Sequence, residues 1–232
     1  STSKRYIENE KLVEEDKLYS PKVAIKQLKS AKSAKFDETV ECHFRLGIDP
    51  RHADQQIRGT MSLTHGTGKT VKIAVLCEEA SASRLLELGA VVAGEESVIE
   101  QISSGVINFD ILLTSPKMMP KLGRYAKILG PKGLMPSPKS GRIGNDLEKL
   151  FAEFVGGKVE YKNDKYGIIH LAIGKLSFEE TQLEENFTQL YDLILKLKPT
   201  KVKGTYMKSI SLSSSMGPGF FPYLSNAHLV VA

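Results

Sequence analysis

Cysteine is scarce in this chain of 232 residues: there are two, Cys42 and Cys77, each inside an apolar run and far from any C-x-x-C spacing. That argues against a disulfide framework or a zinc knuckle and makes buried, reduced thiols the expectation. Long hydrophobic runs are missing as well. Val71 to Cys77 is broken by Lys72 and falls well short of the roughly 18 residues that a membrane span needs, so a soluble protein with no membrane partner is expected. The histidines, His43, His52, His65, His170 and His228, show no i, i+3 or i+4 pairing and no H-x-E, so no metal site is expected. No G-x-S-x-G elbow is present. The paired carboxylates Glu179-Glu180 and Glu184-Glu185 fall on an amphipathic stretch, where a solvated face is the ordinary reading. The chain therefore reads as a non-enzyme without a cofactor.

One motif points the other way. His65-Gly-Thr-Gly-Lys-Thr70 imitates a phosphate loop, but G-x-x-x-x-G-K-[ST] needs a glycine five positions before Gly68, and Leu63 stands there. The motif also precedes a β-type run, whereas a phosphate loop follows a strand and opens a helix. Its glycines are expected to supply flexible backbone at a crossing between domains.

What the chain does have is unevenly placed positive charge. Lys and Arg number 32 against 27 Asp and Glu, for a net +5, and hydrophobic residues make up 41%, enough for one or two cores. Ile111 to Asn145 holds Lys117, Lys121, Arg124, Lys127, Lys132, Lys139 and Arg142 with no acid, and five of the ten prolines. A Gly- and Pro-rich loop of this kind holds cations at a fixed spread, which suits a phosphate backbone. A second acid-free zone starts at Leu193 and carries Lys196, Lys198, Lys201, Lys203 and Lys208. In its strand, Ser209, Ser211, Ser213 and Ser215 fall on one face, with Ile210 and Leu212 inward. A hydroxyl-studded face can pair with ribose 2′-OH, phosphate and base edges. Phe36, beside Lys35, is placed to stack on a base.

Periodicity divides the chain. Pro21 opens a helix with Val23, Ala24, Leu28 and Ala31 as its inward stripe. Val40, Cys42, Phe44, Leu46 and Ile48 then alternate with polar residues as a strand with one wet face, and Arg58 to Leu63 reads as its partner. From Val71 to Thr114, short strands and helices alternate as a parallel α/β layer. Asp146 to Phe154 is a helix, and Asn163 to Gly167 is the turn of an antiparallel hairpin between Val159–Tyr161 and Gly167–Ile173. Phe178 to Leu197 is a long amphipathic helix with Leu183, Phe187, Leu190, Ile194 and Leu197 inward. The fold class expected is α/β and α+β in two domains: a discontinuous α+β domain from both termini, 1–67 and 157–232, and an inserted Rossmann-like α/β domain, 68–156.

Six ordered motifs carry a family resemblance: Ala34-Lys-Phe36; Leu46-Gly-Ile-Asp-Pro50 with Asp54-Gln-Gln-Ile-Arg-Gly59; His65 to Thr70; Ile128-Leu-Gly-Pro-Lys-Gly-Leu-Met-Pro136; Asn163-Asp-Lys-Tyr-Gly-Ile-Ile-His170; and Ser213-Ser-Ser-Met-Gly217. With these the chain resembles the L-one family of large-subunit ribosomal proteins, of bacterial and organellar type, found on the mobile stalk beside the tRNA exit site. The resemblance implies a hinged discontinuous domain that grips structured large-subunit rRNA. It implies an RNA surface of Lys35, Phe36, Thr39, Lys165, Gly167, His170, Ser209, Ser211, Ser215, Met216 and Gly217. The 116–145 basic loop is a family marker that could touch stalk RNA or departing tRNA. The run before Met216 is all serine where relatives often carry threonine, so a methyl's worth of packing is absent.

The expected function is thus that of a structural constituent of the large ribosomal subunit that binds rRNA and assists release of deacylated exit-site tRNA. Other ribosomal proteins would be partners, and repression of its own mRNA a secondary role. The alternative is a nucleotide-binding enzyme built on the central α/β layer. The chain opens at Ser1 without methionine, which together with bacterial-type motifs makes the plastid (chloroplast) stroma the expected compartment and the bacterial cytoplasm the alternative.

Overall fold

A computed structural model describes residues 18–30, 37–215 and 227–229. In chain order the elements are β1 (Leu18–Tyr19), α1 (Pro21–Ser30), β2 (Thr39–Leu46), β3 (Arg58–Ser62), β4 (Ile73–Leu76), α2 (Glu79–Leu88), β5 (Val92–Ala93), α3 (Glu96–Ser104) and β6 (Ile111–Thr114). There follow α4 (Ala126–Leu129), α5 (Leu147–Val155), β7 (Lys158–Lys162), β8 (Ile168–Lys175), α6 (Glu180–Lys196), β9 (Met207–Ser215) and β10 (Ala227–Leu229). Helices and several sheets mix as α/β and α+β. Two compact units form: one from the described residues up to Arg58 with Leu63–Gly68 and those from Tyr161 onward, the other from Gly59–Ser62 and Lys69–Glu160.

The first unit is built on a sheet of order β1-β10-β9-β2-β8. Alternation in β2 decides its faces: Val40, Cys42, Phe44 and Leu46 are buried, while Thr39, Glu41 and His43 are half-buried and Arg45 is exposed. The inner face also takes Ile169 and Ile173 of β8 and Ile210 and Leu212 of β9. Helix α6 covers it with Leu183, Phe187, Leu190 and Ile194, and α1 packs on α6. Phe44 and Phe187 stack with ring centroids 6.1 Å apart, and burial of a side chain such as Phe44 contributes about 2–3 kcal/mol. The α1 stripe is Ala24, Ile25 and Leu28; Val23, expected inward, is 42% exposed, because Ile25 turns to the core instead. Leu197, expected on the α6 stripe, lies past the last helical turn and is exposed.

Two pairings differ from expectation. The partner of β3 is β7, in a two-stranded sheet, not β2, whose two edges are taken by β8 and β9. The Asn163–Gly167 turn does reverse the chain, with Asp164 N–H donating to Ile168 O at 2.9 Å and Gly167 N–H to Asp164 O at 3.1 Å. Its arms nevertheless enter different sheets, β7 pairing with β3 and β8 with β2, so the only bridge between them is Asn163 with Ile169. A β hairpin was expected there; a turn between two sheets is what forms.

The second unit is a parallel sheet of order β5-β4-β6, buried on both faces as its near-continuous apolar strands require. Ile73, Val75 and Leu113 meet α2 and α5 through Ala82, Leu85, Leu150, Phe151 and Phe154. Ala74, Leu76 and Leu112 meet α3 through Val98 and Ile102, and also Met118, Leu122, Leu129 and Leu134. The basic, proline-rich segment is therefore not a plain loop. It folds into 3-10 turns at Met119–Tyr125 and Pro138–Ser140 and into α4, and its leucines close one side of the core. Cys42 and Cys77 are free and buried, as expected. Among the described residues no helix is long and apolar enough to cross a membrane.

Candidate nucleic-acid interface

The outer face of β9–β2–β8 collects the polar residues that alternate with the core. Register sets them in rows: Ser215, Thr39 and Lys175; Ser211, His43 and His170; and Ser209 with Arg45, whose other neighbour is the apolar Ile168. Lys175 donates to Thr39 Oγ1 at 2.9 Å. Ser209 and Ser211 are half-buried, and His170 is exposed. Ser213, expected on the open hydroxyl face, is buried because its hydroxyl is committed to His43, and Ser214 beside it is buried too.

The bonds of this face form a directed chain. The Asp164 carboxylate can only accept when ionised, so His170 Nε2–H donates to it at 3.1 Å. In neutral His170 the other ring nitrogen is then an acceptor, and His43 Nδ1–H donates to it at 2.6 Å. That leaves His43 Nε2 to accept from the Ser213 hydroxyl at 2.9 Å. Each imidazole has its tautomer assigned by the partner on its far side. Burial, then the neighbouring His170, push the His43 imidazole down to about 4. For Asp164 burial acts upward, but the Ile168 amide, the His170 ring and the Tyr166 amide together hold its carboxyl below the usual range. Glu41 and Arg45 flank the pair on β2, with Glu41 Oε2 3.9 Å from His43 Nε2.

Beside this chain lies the turn. Asp164 Oδ1 accepts the N–H groups of Tyr166 at 2.8 Å and Ile168 at 3.0 Å. Asn163 Oδ1 accepts the Ile57 N–H at 2.8 Å, and Asn163 Nδ2 donates to Asp164 O at 3.0 Å. Gly167 has φ +77°, and a Cβ there would lie 3.1 Å from the Leu46 carbonyl oxygen, so a side chain would strain the turn. Lys165 is exposed, its ammonium 5.1 Å from the Tyr166 ring centroid. Thus Thr39, Lys165, Gly167, His170, Ser209, Ser211 and the backbone of Ser215 belong to this face and the turn at its end. Lys35, Phe36, Met216 and Gly217 lie outside the described residues. Sequence reading missed Glu41, His43, Arg45 and Lys175 as members; alternation had put the first three on the wet face, but only register sets them beside Ser209 to Ser213.

The second cationic set is partly spoken for. Lys117 pairs with Glu78, Lys121 with Glu95, and Arg142, with a side chain 14% exposed, with Glu160 at 3.7 Å. Arg124, which lies against the Tyr125 ring at 5.9 Å, and Lys127, Lys132 and Lys139 remain exposed. In a doubly wound sheet, a nucleotide phosphate would sit outside the carboxyl ends of the strands at a helix N-terminus. In the order β5-β4-β6 that place is the crevice between β4 and β6 at the N-terminus of α2, where Glu78 is the N-cap residue and pairs with Lys117; Glu79, in the same first turn, accepts the N–H groups of Glu95 at 2.9 Å and Glu96 at 3.2 Å at the start of α3.

The glycine motif has a structural task. Asn186, fully buried in α6, accepts the His65 N–H at 3.2 Å and donates to Gly66 O at 2.9 Å and Ile173 O at 2.8 Å. Thr64 donates its N–H to Gln189 Oε1 at 3.0 Å, and His65 bonds Glu185. Gly68 has φ +72° with no room for a Cβ beside Phe178. This is a loop clamped to α6, not the flexible backbone expected of it. Among the described residues no group of three or more His, Cys, Asp or Glu could hold a metal ion.

A polar sheet face over an α+β core fits the class that the family match assigns, a structural protein of the large ribosomal subunit that binds rRNA. A model of the Ribosomal protein L1p/L10e family matches residues 28–218, most of the sequence, and the chain belongs to that family. The family is one of structural ribosomal proteins rather than enzymes.

Proposed function

We propose that the chain grips a folded stalk of large-subunit rRNA through Thr39, Lys165, Gly167, His170, Ser209, Ser211 and Ser215 of the β9–β2–β8 face and its turn, together with Lys35, Phe36, Met216 and Gly217. The observation that carries the reading is the alignment of Ser211, His43 and His170 in one row, with Lys165 on the turn beside it. The imidazoles, with their ring nitrogens bonded to Asp164, to each other and to Ser213, hold the face in one arrangement, so that the Ser209 and Ser211 hydroxyls and the Lys165 ammonium meet 2′-OH groups and phosphate at little ordering cost. The chain would be a discontinuous domain with an inserted Rossmann-like domain, crossed near Thr67 and Gly157. By moving with the stalk it would help deacylated tRNA leave the exit site, with exposed Arg124, Lys127, Lys132 and Lys139 offering cations to stalk RNA or to that tRNA. Repression of its own mRNA, through a similar RNA fold, is the secondary role, and the plastid stroma is the compartment.

Filter binding of an rRNA stalk fragment over a salt series tests the reading. Affinity should fall on a log-log plot with a slope of about −0.7 to −0.9 per phosphate contacted, and an unrelated hairpin should bind more weakly. A flat salt response, or equal affinity for any hairpin, would overturn it.

A further inference from the structure

Tyr166 is, at 70%, the most exposed of the large hydrophobic and aromatic side chains among the described residues. Solvent exposure of an aromatic ring on a mobile loop would mean little, but this ring stands on a turn that is pinned from both sides. Its own N–H is held by Asp164 Oδ1 at 2.8 Å, the next amide but one by the same oxygen at 3.0 Å, and Asn163 ties the turn to Ile57 at 2.8 Å. Gly167 ties the far side of the turn to β2, its carbonyl accepting the Leu46 N–H at 3.0 Å. The backbone under the ring is thus set before any partner arrives.

Its surroundings are those of a nucleic-acid contact. Lys165 holds a cation 5.1 Å from the ring centroid, and His170 bonds to the same Asp164 side chain that holds the Tyr166 amide. A flat aromatic surface beside a cation, at the end of a polar sheet face, matches what an unstacked base and its phosphate require: π-surface for the one, positive charge for the other.

We propose that Tyr166 is a stacking platform for an unpaired base of the bound RNA, with Lys165 meeting the phosphate next to that base. The proposal rests on the RNA-binding reading of the sheet face and adds to it a contact by which single-stranded nucleotides flanking the gripped stalk would be held.

The chain contains no tryptophan, so Tyr166→Trp introduces a sole indole emitter at the proposed contact. Titrating the full chain with the rRNA stalk fragment should quench that emission while affinity stays near that of the parent. Tyr166→Phe should bind within about two-fold of the parent, since the ring is kept. Tyr166→Ala should lose roughly 5- to 10-fold in affinity, the lower part of the range for base–aromatic stacking, with the salt slope unchanged. Lys165→Ala should instead flatten the slope by about 0.7 to 0.9. The inference is overturned if Tyr166→Ala binds like the parent and the indole is not quenched while His170→Ala weakens binding; the sheet-face reading then survives. If the parent itself fails to prefer the stalk fragment, both fall.

Discussion

Acidification should destabilise the protein through one half-buried imidazole. His43 is neutral in the folded state, because its ring on the outer sheet face is only 19% exposed, with His170 against one nitrogen and Ser213 against the other. Its folded value is about 4, against an ordinary value near 6.5 in the unfolded chain. Between those limits the unfolded state binds the extra proton, so stability is complete above about pH 6.5 and is lost as pH falls toward 4. The displacement corresponds to about 3 kcal/mol, and solvent screening of the exposed part of the ring reduces it to about 2 kcal/mol. His43→Gln isolates the effect: an amide can still give and accept one hydrogen bond but does not titrate. Urea unfolding followed by circular dichroism at pH 7, 6, 5 and 4 should show the parent losing about 2 kcal/mol more than His43→Gln across the series. Parallel pH profiles, or a parent that gains stability on acidification, would refute the reasoning.

Three further outcomes follow from the same geometry. Asn186→Ala leaves the His65 N–H and the Gly66 and Ile173 carbonyls without their buried partner and should cost about 3 kcal/mol in denaturant unfolding; a loss under about 0.5 kcal/mol would mean the clamp is unimportant. Gly167→Ala forces a side chain into a left-handed turn residue, costing about 1–2 kcal/mol, and should weaken binding of the rRNA fragment as the turn shifts, both read by thermal melting and filter binding. ATP, GTP and NAD should leave the melting temperature unchanged, since the helix N-terminus at the β4–β6 crevice carries the carboxylates of Glu78 and Glu79 where a phosphate would need positive charge; a ligand-dependent rise would favour a nucleotide enzyme.

Much of the fold was legible because alternation and helical spacing are local. The β2 pattern of Val40, Cys42 and Phe44 against Glu41, His43 and Arg45 assigns faces without any knowledge of neighbours, and the apolar strands of the second unit could only be a sheet covered on both sides. Pairing is not local. Nothing in the β3 residues says that their partner is β7 across the length of the second unit, and nothing at Asn163–Gly167 distinguishes a hairpin from a turn between two sheets. The site shows the same division. The serines of β9 were placed on one face by period two, yet that Ser213 would be consumed by His43 depended on register, which also brings His43 and His170 together. The glycine motif was misread because the residue that holds it, Asn186, is a polar side chain inside an apolar helical stripe with no local signal of its partner. Val23 and Ile25 are both apolar, so composition alone could not say which of them turns inward.

Covalent footprinting of the full chain with hydroxyl radicals, with and without the rRNA stalk fragment, reaches the central claim most directly. Oxidation of His170, Tyr166 and Met216 should drop when RNA is added, while exposed Leu86 and Leu88 on α2 react as before. Unchanged oxidation of His170 and Met216 in a mixture where the RNA is bound would place the nucleic acid elsewhere on the protein and contradict the account.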